Sequence, residues 1–251
     1  MGLSADVQQW EPSTVSHWRL PKCVVSGDAF DQYIYGADDA GRLALTMDMT
    51  GKGSFLVIRD DNAQYAPYAF VVDRSKCRVL GRGTVVGVRG QWSSGYRGYL
   101  NGHVAPTGQE TSTVAVRWHG VHIVELGPGD ALAVTSNGFA AGADAVPAHI
   151  GAPPVPHAVA WDQRGRRISI DADDRSVAYD VSDDETVVGT LLASDGVYHA
   201  FRWRSGKREL LDDLPHPPGW KFASAYAIRA DGTIVGIGTH DRTPTVFVWH
   251  A

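Results

Sequence analysis

The stretch "THDRT" (residues 239–243) sets an imidazole, a carboxylate and a guanidinium in a row, residue types suited to acid–base work near neutral pH. Adjacent residues on a strand point apart, so His240, Asp241 and Arg242 cooperate only if a turn falls there. His216, Trp220 and Lys221 lie just upstream, and Trp92, Tyr96, Arg97 and His149 add further rings and charges of the kind that line small-molecule pockets. A third group is Tyr35, Tyr179 and Tyr226, whose hydroxyls can donate hydrogen bonds or protons and whose rings can equally well pack. The chemistry expected of these residues has His216, His240, Asp241, Tyr226 and Tyr179 moving protons. Tyr35, Trp92, Tyr96, Arg97, His149, Trp220, Lys221 and Arg242 would hold the substrate.

Other signatures are missing. There is no G-x-S-x-G nucleophile elbow and no H-E-x-x-H zinc helix. The histidines of "HGVH" (residues 119–122) make an incomplete ligand set, and "GRGTVVG" (residues 81–87) leads into a strand rather than the helix N-terminus that receives phosphate. The acidic runs "DADDR" and "SDDE" lack EF-hand spacing and read as solvated turns. Neither a metal nor a cofactor is expected.

The elements that must position these residues are strands. Short apolar runs at period two, such as "TIVGIG", "HAFRW" and "TVVGV", are bounded by Gly, Pro, Asn or Asp. Trp118, Trp161, Trp203 and Trp249 stand 43, 42 and 46 residues apart, with Ile58 of "SFLVIRD" as the earlier counterpart. A period of about 40–50 residues with four strands is the signature of propeller blades. A second phrase precedes each anchor: "SAYAIRADGTIVG", "SVAYDVSDDETVVG", "ALAVTSNGFAAG" and "SKCRVLGRGTVVG", with "YIYGADDAGRLAL" as the earliest copy. Each reads as a strand, a tight turn and a second strand ending at Gly87, Gly142, Gly189 or Gly236. Superposed, the copies put Tyr35, Cys77, Leu132, Tyr179 and Tyr226 at one first-strand position.

These repeats predict one all-β domain, a five-bladed β-propeller with four antiparallel strands per blade. The blades cover residues 31–73, 74–128, 129–172, 173–214 and 222–251, and an N-terminal strand near residues 15–20 closes the last. In such a ring the connections between strands two and three share one face with those from strand four to the next strand one. Insertions at residues 89–110, 143–156 and 214–223 fall on that top face, which is what would gather the candidate residues at the axis. The register of the second blade stays open. If "GYRGYLNG" were its second strand, Arg89 and Trp92 would leave that face.

The paired phrases "AYAIRADGTIVG" and "HAFRW" resemble the HAF-repeat family of bacterial proteins, named for the tripeptide found at His199, Ala200 and Phe201. "HAVAW" at His157 is a near copy, whereas Ser54, Val114 and Thr245 stand where the His would be in the other blades. The resemblance implies propeller-like repeats and no particular chemistry. His157 and His199 are read as packing residues.

A net charge of −5 and a pI near 6.0 exclude general nucleic-acid binding. No run approaches a membrane-spanning length and the first residues have no signal-peptide pattern, so a cytoplasmic location is expected. Cys23 and Cys77 are too few for a disulfide framework, leave one bridge open, and agree with a reducing compartment. Two functions follow. The first is a top-face pocket for a small, partly apolar molecule, promoting cofactor-independent cyclisation, isomerisation, elimination or hydrolysis. The second is a non-catalytic module, lectin-like or a scaffold that meets a protein partner through the top-face loops.

Overall fold

The computed structural model describes residues 28–38, 42–50, 68–73, 76–97, 113–146, 155–171 and 175–250. Among the described residues all regular elements are strands apart from one 3-10 turn at Leu211–Asp213. Five antiparallel sheets follow one another along the chain. The first holds β1 (Asp28–Ala37), β2 (Arg42–Thr50), β3 (Tyr68–Asp73) and β4 (Lys76–Arg82). The second holds β5 (Thr84–Arg89), β6 (Trp92–Arg97), β7 (Val114–His119) and β8 (His122–Pro128). The third is built from β9 (Asp130–Val134), β10 (Ala140–Val146), β11 (Val155–Trp161) and β12 (Arg167–Ser169). The fourth is built from β13 (Arg175–Val181), β14 (Val187–Leu192), β15 (Tyr198–Arg204) and β16 (Lys207–Leu210). The fifth has three strands, β17 (Trp220–Ile228), β18 (Ile234–His240) and β19 (Thr243–Trp249). Residues 15–20, expected as its fourth strand, lie outside the described residues.

Two expectations shift. "KCRVLGR" is the last strand of the first sheet and "TVVGVR" the first strand of the second, so the two are not the halves of one hairpin. The third strand of the first sheet is "YAFVVD", whose Tyr68, Ala69 and Phe70 take the register of His199, Ala200 and Phe201, and Val72 the register of the anchor Trp. Ile58 and Ser54, assigned to those places from sequence, lie outside the described residues.

The sheets pack face to face, and adjacent residues on one strand enter different cores. Val187 faces the third sheet with Phe139 and Ala141, while Val188 faces the fifth with Phe222 and Ile234. Inner strands are therefore apolar on both sides. Each anchor Trp closes a layer against the preceding sheet: Trp118 against Ala44 and Val71, Trp161 against Ala115, Trp203 against Ala133 and Ala160, Trp249 against Val188 and Ala200. Among the described residues the cores are four separate layers, one between each pair of successive sheets.

A β-bulge interrupts every first strand at the same place. The unpaired residues are Tyr35, Val86, Leu132, Tyr179 and Tyr226. In sheets two to five the bulge drives the carbonyl oxygen two residues earlier onto the second strand, opposite Gly95, Gly142, Gly189 and Gly236. A Cβ there would run into the oxygens of Thr84, Asp130, Val177 and Ser224 respectively. Gly189→Ala should therefore lower the unfolding free energy by about 1–3 kcal/mol, the range of an overpacked core. Urea denaturation measures this directly, and a loss under 0.5 kcal/mol, the ordinary scatter of surface changes, would contradict the tight approach.

Candidate functional site

The repeated bulge carries a tyrosine at the same strand position in the first, fourth and fifth sheets. The first strands of successive sheets lie beside one another, and each presents its unpaired residue at the same height. The Tyr179 and Tyr226 rings are 4.9 Å apart at 41°, with Tyr179 half-buried and Tyr226 and Tyr35 exposed. Burial pushes the Tyr179 phenol up, and its neighbours Tyr226 and Tyr198 add to the effect. At neutral pH it is a hydrogen-bond donor and not a base. Val86 and Leu132 occupy the places in the second and third sheets, while Cys77, assigned to the second from sequence, sits half-buried on β4 and is disulfide-bonded.

Beside the tyrosines lies a carboxylate. Asp180 accepts the N–H of Val181 at 2.8 Å and reaches the fifth sheet to accept that of Ile228 at 2.8 Å. Burial pushes its carboxyl up against the opposing pull of these donors and of Arg89. Arg89 belongs to the second sheet and Asp180 to the fourth, so the first strands bring charges of non-neighbouring sheets within reach.

The imidazoles expected as catalysts lie elsewhere. His240, Asp241 and Arg242 do fall on a turn, where Asp241 (φ 49°) and Arg242 (φ 68°) adopt left-handed backbone and His240 packs at 4.8 Å on the buried Trp220. The His240 Nε2 is 3.9 Å from Asp241 Oδ2, and Lys221 is exposed nearby on β17. His216 is occupied: Nδ1 meets the Pro217 carbonyl at 2.8 Å, Nε2 the Asp212 carbonyl at 3.1 Å, and its ring stands edge-on to Phe222 at 5.1 Å. Trp220 and Tyr226 are six residues apart on one strand, roughly 20 Å of backbone at the usual rise. The Tyr226 bulge and the His240 turn therefore lie toward opposite ends of β17.

Trp92 is also displaced, because the second strand of this sheet is Trp92–Arg97, neither "GTVVGV" nor "GYRGYLNG". It starts β6 at the turn from β5, where its ring stacks on His119 at 4.3 Å and carries the Arg117 guanidinium 5.0 Å above it. That end of the sheet holds the turns. Arg117 is buried there, donates to the carbonyls of Gly138, Asp162 and Gln163, and is held below the usual guanidinium range by burial. Trp92 thus joins sheets two and three instead of lining a pocket. Tyr96 and Arg97 end β6, half-buried, with Arg97 3.6 Å from Glu125. His149 lies outside the described residues.

Sequence reasoning passed over Asp212, which the 3-10 turn after β16 brings to His199, with Nδ1 and Oδ2 3.0 Å apart. The only signal was the acidic pair in "LLDDLP". His157 is half-buried on β11 opposite Asp144, whose carboxylate pairs with Arg167. Among the described residues no group of three or more His, Cys, Asp or Glu side chains could hold a metal ion, and no helix is long and apolar enough to cross a membrane. No family model, no curated protein and no solved structure matches this chain.

Burial also pushes the Asp130 carboxyl up, opposed by the Thr113 hydroxyl, and its Oδ1 is enclosed without a hydrogen-bond partner. The folded state then binds this proton more tightly than the unfolded chain. Its effect on stability is absent well below pH 3.8 and becomes unfavourable as pH rises from there through the higher folded pKa. Asp130→Asn should stabilise the protein at pH 7 and change nothing at pH 2.5–3. Equal urea midpoint shifts at both pH values would refute this.

Proposed function

We propose that the five sheets close into a five-bladed propeller whose axis binds a small, partly apolar organic molecule against Tyr35, Tyr179 and Tyr226. The phrases that resemble those of HAF-repeat proteins accord with such a ring. One comparison of equivalent residues marks the face that closure has to cover. Ala69, Ala115, Ala158 and Ala200 hold the same third-strand place, each is 0% exposed, and each faces the next sheet. Val246 holds that place in the fifth sheet and is 64% exposed among the described residues, with Ile237 beside it at 44%. A sheet apolar on both faces needs a cover on both. In a closed ring the first sheet would supply it, and residues 15–20 would be the strand beside β19. Val246→Asp should then cost more than about 2 kcal/mol of stability, as burying an unpaired charge does, whereas a solvent-exposed site would show a change within about 0.5 kcal/mol.

The observation that carries the binding reading is the tyrosine at three of five equivalent bulges. Aromatic walls supply apolar contact and phenols the few polar groups that orient a ligand. Acid–base chemistry at this place rests on the phenols as proton donors, with the Asp180–Arg89 pair setting the local charge. His216 and His240 stand too far away to share in it. Saturation-transfer NMR with a fragment library of neutral aromatics, organic acids and organic amines tests the site. Hits should disappear in the Tyr179→Ala/Tyr226→Ala double variant and persist in His240→Ala. Hits indifferent to both tyrosines would dispose of the axial site. A non-catalytic module is favoured if the hits bind and none is converted.

A further inference from the structure

His199 opens the outer half of the fourth sheet, and its imidazole is oriented with more care than packing requires. Asp212 Oδ2 lies 3.0 Å from Nδ1, while Asp212 Oδ1 accepts the backbone N–H of Phe222 at 3.1 Å. The carboxylate is thus fixed by the fifth sheet before it meets the ring, and its side chain is 11% exposed. An Nδ1–H donated to a fixed carboxylate is the arrangement that orients metal-binding histidines, because it leaves the Nε2 lone pair pointing outward.

That Nε2 faces a second carboxylate. Asp195 Oδ2 is 4.0 Å away, on a side chain 61% exposed, and Oδ1 of the same group accepts the Val197 N–H at 2.9 Å. The turn that carries Asp195 is closed by the Ala193 N–H to the Val197 carbonyl at 3.0 Å and the Gly196 N–H to the Ala193 carbonyl at 2.9 Å. Nitrogen and oxygen ligands with bonds of about 2.0–2.2 Å to one tetrahedral ion stand about 3.4 Å apart. A rotation of the exposed Asp195 side chain closes the difference.

We propose that His199 Nε2 and Asp195 Oδ2 bind a divalent transition-metal ion, with Asp212 as the positioning residue and water completing the shell. One imidazole and one carboxylate suit Zn2+, Cu2+ or Ni2+ rather than Ca2+ or Mg2+, which take oxygen ligands. The site is independent of the tyrosines. The competing arrangement is an imidazolium between two carboxylates, in which Nε2 is a donor and binds no metal.

Zn2+ titration of the full chain, followed by calorimetry and by 15N shifts of the histidine rings, decides between them. One equivalent should move the His199 Nε2 resonance, His199→Ala should abolish that binding, and Asp212→Asn should weaken it about 10–100-fold, the cost of removing a partner behind a metal ligand. Asp195→Asn, an exposed change that leaves the fold intact, should weaken it at least about tenfold by the loss of a charged ligand. An unmoved His199 resonance, or an isotherm that is the same in His199→Ala or Asp195→Asn because the ion sits at His119 and His122, would overturn the proposal.

Discussion

Much of this structure follows from one short-range constraint, the meeting of a first-strand carbonyl with a second-strand glycine. Four of the five sheets contain it, opposite Gly95, Gly142, Gly189 and Gly236. The extra residue that forces the approach raises the local twist of its strand. Repeated at one height in successive sheets, it bends the first strands in the same sense and presents the unpaired side chains as a set. In the first sheet Leu45 stands at the glycine's place, opposite Ile34 and Phe70, so the approach is not repeated there in the same form.

The second organising feature is the two-sided sheet. Because Ala140 and Ala141, or Val187 and Val188, serve different cores, no single interior collects all the apolar residues. Small residues on one sheet receive the anchor Trp of the next, which sets the spacing between them. Loss of any one layer exposes the faces on both sides of it, so stability is shared by nearest neighbours rather than by a single centre.

The Trp spacing, the tight turns and the glycines at residues 142, 189 and 236 were legible in the sequence because backbone geometry demands those residue types. The tyrosine superposition was legible for the same reason: Tyr35, Tyr179 and Tyr226 all occupy bulges. Boundaries failed where two strands of similar composition adjoin. "KCRVLGR" and "TVVGVR" are separated by one residue, and nothing local marks the passage from one sheet to the next. With that boundary moved by one strand, Cys77 leaves the first-strand set and Trp92 passes to the opposite end of its sheet. The candidate site was less legible still. Aromatic and titratable residues signal a pocket only if they converge, and convergence depends on the distance along a strand, which separates Trp220 from Tyr226. Asp212 escaped notice because its partner His199 is reached only through the fold.

Glu185 has a consequence for how two sheets move. It adopts φ 64° at the turn position where Gly138 and Gly232 stand in the neighbouring hairpins, a conformation that disfavours side chains. Its carboxylate accepts the Gln163 side-chain N–H at 2.7 Å, and Asp183 in the same turn accepts the Ser136 N–H at 2.7 Å. The fourth sheet thereby grips both turns of the third from below. Sliding of one past the other would have to break these anchors together, so the two sheets are tied to each other at their turn end.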